Sequence, residues 1–123
     1  MRFYCTDDTV DLEQYPYHVR DVHISDPFIL ADPKSRCYYT YVQFADTERF
    51  PDVETDKEHG VFYVLESKDL IHWSKPQICF RQNNFWADKD YWAPEVHIWK
   101  GRYYLFSSFR ADGHYRKCQC LVS

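Results

Sequence analysis

The chain has 123 residues, with 15 Lys and Arg against 19 Asp and Glu, which gives a formal net charge of −4 at pH 7. Its composition, 45% hydrophobic and 28% charged, is typical of globular proteins and excludes disordered, collagen-like and coiled-coil chains. No basic run is present to attract nucleic acid, and no apolar stretch approaches the roughly 20 residues that cross a bilayer. Met1–Asp8 lacks an apolar signal core, so we expect a cytoplasmic protein without nucleic-acid or membrane partners.

Aromatic residues are unusually frequent, with 4 Trp, 11 Tyr and 9 Phe, whereas only 3 residues are Gly. Such a composition favours strands over helices. The 5 cysteines are odd in number, and Cys118 and Cys120 are too close in sequence for an easy disulfide or a chelating Cys-x-x-Cys. We therefore predict reduced, buried cysteines that pack as small apolar residues.

The N-terminal part of the chain predicts an arm followed by a hairpin. Residues 1–22 have no sustained hydrophobic period, and Pro16 interrupts any helix, which predicts an irregular arm with one short strand. An apolar run at 28–31, turn residues at 32–35 and an aromatic, β-branched run at 37–42 then predict a β-hairpin.

An acidic segment separates this hairpin from two further strands. Residues 45–60 carry six Asp and Glu without the spacing of an EF-hand calcium loop, and they predict an exposed loop. Residues 61–65 predict a strand, 67–70 a turn, and 78–80 a further short strand. These segments complete a group of four strands.

The strand pattern then starts again about 67 residues later, as counted from Pro27 to Pro94. Residues 96–99 and 103–107 predict a second hairpin around a Lys100-Gly101 turn, and 120–123 correspond to 64–67. Groups of four short antiparallel strands are typical of β-propeller blades. These strands alone leave a small twisted β-sandwich as the alternative. Since a propeller closes with about four to eight blades, one and a half to two blades cannot close alone.

Three motifs follow in order: Ser25-Asp26-Pro27-Phe28-Ile29-Leu30, Ser67-Lys68-Asp69-Leu70-Ile71-His72-Trp73 and Trp92-Ala93-Pro94-Glu95-Val96. Together they resemble glycoside hydrolase family 43 over about residues 22–123. The resemblance implies an all-β, five-bladed β-propeller, of which this chain supplies about one and a half to two blades. We expect an arm at 1–22, a first blade at 23–80 and a truncated second blade at 81–123.

The same resemblance implies a glycosidase that hydrolyses arabinose- or xylose-containing glycans with inversion, as arabinofuranosidases, xylosidases and arabinanases do. Inversion requires a general acid and a general base about 6.5–9.5 Å apart across the sugar. Asp26 matches the family's general base, and we expect Pro27 to hold Asp26 extended. The family's general acid and its acid-tuning Asp belong to later blades, so this chain alone should be a weak or inactive catalyst. The alternative is an incompetent fragment or a carbohydrate-binding module that lacks the acid.

Aromatic residues beside such a site commonly form the apolar wall against which a sugar ring packs. We predict this role for Trp92, Trp86 and Phe44, which lie next to the predicted inner strands. Packing between blades is the competing role for Trp92.

Two polar residues of the second inner strand are further candidates for substrate binding. Glu95 is a tempting substitute for the acid, but aligning Pro94 with Pro27 places it opposite Phe28 rather than Asp26, which favours a sugar or network contact. His97 is a candidate for pointing toward the propeller axis, with a hydrogen-bonded structural histidine as the alternative.

The sequence predicts an oligosaccharide or polysaccharide partner and no cofactor. The histidines show no metal-ligand spacing, and no nucleotide-binding or nucleophile-elbow motif is present. Some family members bind a calcium ion on the propeller axis, but no residue of this chain can be assigned as its ligand. Open blade edges make self-association a further expectation.

Overall fold

The computed structural model describes residues 10–24, 26–43, 47–55, 61–81 and 85–123. Within these ranges the regular structure is almost entirely β, with one short 3-10 helix, Val19–Asp21. The strands form two antiparallel sheets of six and three strands, which confirms the all-β prediction. None of the helical structure in these ranges is long and apolar enough to cross a membrane.

The first sheet contains the predicted hairpin and its neighbours. Its strands are β1 (Tyr17–His18), β2 (Ile29–Asp32), β3 (Cys37–Val42), β4 (Val61–Ser67), β5 (His72–Trp73) and β6 (Gln77–Arg81). They are ordered β1-β5-β4-β3-β2, and β6 pairs with β4 as well. The short strand predicted within the arm is therefore β1, which joins this sheet by pairing with β5.

Side-chain oxygens close the two turns of the first sheet. In the β2–β3 turn, the Asp32 carboxylate accepts hydrogen bonds from the Lys34 amide at 2.9 Å and the Ser35 hydroxyl at 3.0 Å. In the turn after β4, Asp69 Oδ1 accepts from the amides of Ile71 and His72 at 2.8 and 2.7 Å. Short Asp side chains can satisfy backbone donors in this way, which explains why the turns form at these positions.

The second sheet consists of β7 (Lys89–Trp99), β8 (Arg102–Arg110) and β9 (Lys117–Val122). The predicted Lys100-Gly101 turn joins β7 to β8, and both residues have positive φ, 48° and 74°. Two consecutive positive φ angles are the primed turn geometry that matches strand twist. The strand β7 starts seven residues before the predicted segment at 96, because two register shifts let the chain continue pairing through Pro94.

The two sheets pack against each other through aromatic side chains. Phe62 of β4 is fully buried and lies 6.0 Å from Phe109 of β8, ring centre to ring centre. Tyr91 of β7 lies 4.9 Å from Phe109 in an edge-to-face arrangement. A hydrogen bond from the Tyr103 hydroxyl to Asp32 Oδ2, 2.8 Å long, also joins the sheets.

A second apolar cluster lies within the first sheet and includes part of the predicted acidic loop. Tyr17 and Trp73 are buried there together with Phe50, which is 4.2 Å from the Tyr17 ring. Residues 47–55 contain no strand or helix, as expected of a loop, and most of these residues are exposed.

The cysteines in the described ranges are free thiols. Cys37 is buried as predicted. The prediction of burial is wrong for Cys79 and Cys118, which are exposed. Both lie on strands at the edges of their sheets, β6 and β9, in which every side chain is exposed or half-buried.

Candidate active site

The strands β2 and β7 are the edge strands at which the two sheets meet, and the predicted catalytic residue precedes the first of them. Asp26 is exposed, so its carboxylate is accessible to water. The expectation that Pro27 holds Asp26 extended is wrong, because the φ of Asp26 is 51°. A following proline disfavours the right-handed helical region, and Asp is among the few residue types that tolerate the left-handed one.

Trp92 lies on an irregular section of β7. Register shifts occur on both sides of it, between Lys89 and Trp92 and between Trp92 and Glu95, and Asp90 and Ala93 have positive φ of 53° and 50°. Bulges of this kind re-aim side chains. The Trp92 side chain consequently points outward and stays 48% exposed, while its neighbour Tyr91 is buried in the core between the sheets.

A guanidinium group covers part of the Trp92 ring. The Arg116 Cζ atom lies 3.7 Å from the centre of the indole. Arg116 also donates hydrogen bonds to the Asp90 carbonyl and the Ser108 hydroxyl, both at 3.0 Å. The loop between β8 and β9 is thereby attached to the start of β7.

Glu95 and His97 are brought together on β7. Glu95 Oε1 and His97 Nε2 are 2.8 Å apart, and both side chains are 52% exposed. The His97 ring packs 5.3 Å from the ring of Phe28, which lies two residues after Asp26. This contact links the start of the first sheet to the second, so Glu95, His97 and the Asp26 segment share one region where the edge strands meet.

The remaining predicted aromatic residues are placed differently. Trp86 is half-buried, and its indole N–H donates to Gln119 Oε1 of β9 at 2.7 Å. Its ring also contacts Phe85 at a centroid distance of 5.8 Å, so Trp86 packs against the second sheet. No ring contact between Trp86 and Trp92 is found among the described residues, and Phe44 lies outside them.

The well-buried carboxylates are unsuited to the acid role, which requires a raised pKa. The hydroxyl of Tyr103 lowers the pKa of Asp32, aided by the Lys34 amide and the Ser35 hydroxyl against the opposing effect of burial. Burial raises the pKa of Asp69, but hydrogen bonds from His72 outweigh it and leave that pKa lowered. Both groups are held ionised inside turns. No cluster of metal-binding side chains is found among the described residues.

The sequence model described as "Glycosyl hydrolases family 43" matches residues 18–122. This chain belongs to glycosyl hydrolase family 43. No curated protein sequence matches it.

Two solved structures support the same fold. The endo-arabinase from Bacteroides thetaiotaomicron VPI-5482 has 33% sequence identity and a TM-score of 0.72, over 89% of this chain and 34% of that chain. A structure described as RS223 β-xylosidase has 15% identity and a TM-score of 0.59, over 90% of this chain and 35% of that chain. The chain therefore spans about a third of the length of these relatives. The predicted fold class is confirmed: the two sheets are blades of the family's five-bladed β-propeller.

Three residues beside Trp92 are not recognisable as site residues in the sequence: Arg116, Asp90 and Ser107. The Ser107 hydroxyl donates to the Trp92 carbonyl at 2.6 Å and thus fixes the backbone of Trp92. These residues lie in a loop, beside a bulge and on a neighbouring strand, and no motif or hydrophobic period connects them. Only the pairing of β7 with β8 and the path of the following loop bring them to Trp92.

Proposed function

We propose that these two blades form part of the active centre of a glycoside hydrolase that cleaves arabinose- or xylose-containing glycans with inversion, and that Asp26 is its general base. The observation that carries the proposal is the exposed carboxylate of Asp26 at the start of β2. Within β7, Ala93 also precedes a proline and has nearly the same φ, but it carries no carboxylate. The general acid is proposed to come from another blade of the propeller.

In this mechanism Asp26 accepts a proton from a water molecule as that water attacks the anomeric carbon. The bond from that carbon to the leaving oxygen breaks on the opposite face of the sugar, and the acid protonates that oxygen. Attack and departure on opposite faces invert the anomeric configuration. A water-accessible Asp26 is suited to this task, since the base must contact water rather than the sugar carbon itself.

The names of the similar structures support a choice of sugar to test. The solved structure with 33% identity is named an endo-arabinase, which supports arabinose-containing glycans as the first substrates to test. Trp92, Glu95 and His97 are proposed to contact the glycan, the indole through its exposed surface and the polar pair through hydroxyl groups. Arabinofuranosidase and xylosidase activities are proposed for this chain as well.

The experiment should measure the contribution of the general base to the rate in the absence of the general acid. A dinitrophenolate leaving group departs from an aryl glycoside without being protonated. Hydrolysis of the dinitrophenyl α-L-arabinofuranoside and β-D-xyloside therefore reports on base catalysis alone. We expect turnover by the 123-residue chain that falls about 10²- to 10⁴-fold in Asp26→Ala, the usual contribution of general base catalysis. Asp88→Ala, which removes an exposed carboxylate elsewhere before β7, should leave the rate unchanged.

Azide provides a second measurement, because this anion attacks without a base. Added azide should restore turnover in Asp26→Ala and yield a glycosyl azide of inverted configuration, identified by proton NMR. Equal losses in the Asp26 and Asp88 variants, or a retained configuration, would contradict the proposal.

A carbohydrate-binding module is the second candidate, and the half-exposed indole of Trp92 favours it. This function predicts that arabinotriose or xylotriose binds without turnover and that Trp92→Ala abolishes binding. Trp99→Ala is the matched control, since Trp99 lies at the other end of β7, is 59% exposed and also has a cation, Lys100, over its ring. Loss of binding in both variants would argue against a specific site at Trp92.

A further inference from the structure

The contact between Arg116 and Trp92 gives the exposed indole a fixed support. A guanidinium whose central carbon is 3.7 Å from the ring centre must cover one face of the indole. Since Trp92 is nevertheless 48% exposed, its accessible surface lies on the opposite face and the ring edges. An aromatic ring with one supported face and one open face is the arrangement that stacking of a sugar requires.

The guanidinium itself makes three polar contacts with its protein neighbours. Its Nη1 donates to the Asp90 carbonyl and the Ser108 hydroxyl, and its Nη2 lies 3.2 Å from Asp90 Oδ2. The planar Arg side chain suits three acceptors and an aromatic face at once, which Lys cannot match. Only 30% of the Arg116 side chain is exposed. Arg116 therefore contacts its protein neighbours and is not directed at a ligand in solvent.

We propose that Arg116 is a positioning residue, which fixes the Trp92 indole in one orientation so that its open face forms a preorganised stacking surface for a sugar ring of the glycan. The sugar part of this proposal rests on the proposed function. The backbone of Trp92 is already fixed, because bulges flank this residue and the Ser107 hydroxyl donates a hydrogen bond to its carbonyl. The indole can still rotate about its own side-chain bonds, and Arg116 is the group that contacts its face. Ordering a side chain before binding removes an entropic cost from binding.

The competing role for Arg116 is a purely structural attachment of the β8–β9 loop to Asp90. Arg110 offers a matched control, since its Nε lies 2.9 Å from the same Asp90 Oδ2. No contact of Arg110 with the Trp92 ring is found in the described part of the chain. Losing either arginine weakens the cationic environment of Asp90, but only loss of Arg116 uncovers the indole.

The test uses the 123-residue chain labelled with 5-fluorotryptophan, in which Trp92→Phe assigns the Trp92 resonance among four. Arg116→Ala and Arg116→Lys should shift or broaden the Trp92 fluorine signal, whereas Arg110→Ala should leave it unchanged. Arg116→Lys keeps the charge beside Asp90 and so guards against loss of the fold. An unchanged Trp92 signal in both Arg116 variants would overturn the proposal.

Titration with arabinotriose then measures the consequence for binding. The dissociation constant should rise about threefold to tenfold in Arg116→Ala, the scale of ordering one side chain, and little in Arg110→Ala. Equal losses in the two variants would assign Arg116 the structural role and overturn the proposal. If the unaltered chain binds neither arabinotriose nor xylotriose, the sugar surface and the proposed function fail together, while the fluorine spectra separately decide whether Arg116 orients Trp92.

Discussion

Asp26 and Ala93 have nearly the same left-handed φ, 51° and 50°, and each precedes a proline, Asp26 just before the edge strand β2 and Ala93 within the edge strand β7. The bend therefore belongs to the repeated blade rather than to catalysis. What distinguishes the first blade is the side chain, a carboxylate in place of a methyl group. An unusual φ at Asp26 is thus no evidence of stored catalytic strain, and the proposed base role rests on its exposed carboxylate.

This shared bend makes a prediction about stability. An L-residue in the left-handed region costs about 1–2 kcal/mol, which glycine avoids, although glycine also gains entropy in the unfolded chain. Ala93→Gly should therefore raise the free energy of unfolding by up to about 1 kcal/mol. Ala31→Gly, an exposed alanine within β2 without positive φ, should lower it by about 0.5–1 kcal/mol. Urea unfolding measures the free energy of unfolding of both variants. A loss of stability in both would show that the positive φ at Ala93 imposes no strain.

A second prediction concerns the hydrogen bond between the blades. The Tyr103 hydroxyl donates to the buried carboxylate of Asp32, so Tyr103→Phe removes a donor from an acceptor shielded from water. We expect the free energy of unfolding to fall by about 1 kcal/mol. Amide exchange in the β2–β3 turn should accelerate as well. Tyr104→Phe removes a hydroxyl from the next residue, on the other face of β8, and should change neither quantity.

The parts of the fold that follow from local chemistry could be predicted from sequence. The hairpins required only alternating strand residues around Asp32-Pro33 and Lys100-Gly101, and the turn at Asp69 required one short carboxylate within reach of nearby amides. The alignment of Pro27 with Pro94 agrees with the structure in one respect, since a residue with positive φ precedes each of these prolines.

The bulged start of β7 and the contacts of Arg116 with it could not be predicted. Alternation breaks at the two register shifts, and Pro94 lacks the amide that a strand donates, so the pattern indicates a strand only from 96 onward. Arg116 lies in a loop and reaches Asp90 and Trp92 through the tertiary path of the chain. A single arginine in a loop carries no sequence signal for such a contact.

A third prediction follows from the different surroundings of two cysteines. Cys37 is buried, and burial together with the nearby Glu66 carboxylate raises the pKa of its thiol, whereas Cys118 is exposed on β9. Since the thiolate is the reactive form, we expect iodoacetamide to modify Cys118 at least about tenfold faster than Cys37 in the folded chain. Peptide mass spectrometry measures both rates. In urea the two rates should converge, and similar rates in the folded chain would contradict the burial of Cys37.

The turn after β4 makes a prediction about pH. Asp69 Oδ1 accepts two amide bonds, and Asp69 Oδ2 lies 2.7 Å from the His72 ring nitrogen, so Asp69→Asn keeps one acceptor but removes the charge. Burial raises the pKa of Asp69, but the hydrogen bonds from His72 and Ile71 together lower it below the unfolded value of about 3.9. A carboxyl group with a lowered folded pKa stabilises the protein above its unfolded pKa, and this contribution disappears as the pH falls through the folded pKa. The free energy of unfolding of the unaltered chain should therefore exceed that of Asp69→Asn by about 1 kcal/mol near pH 5, and this gap should close as the pH falls through the folded pKa. Thermal unfolding across this range measures the gap, and a gap that stays constant with pH would show that the charge of Asp69 does not stabilise the turn.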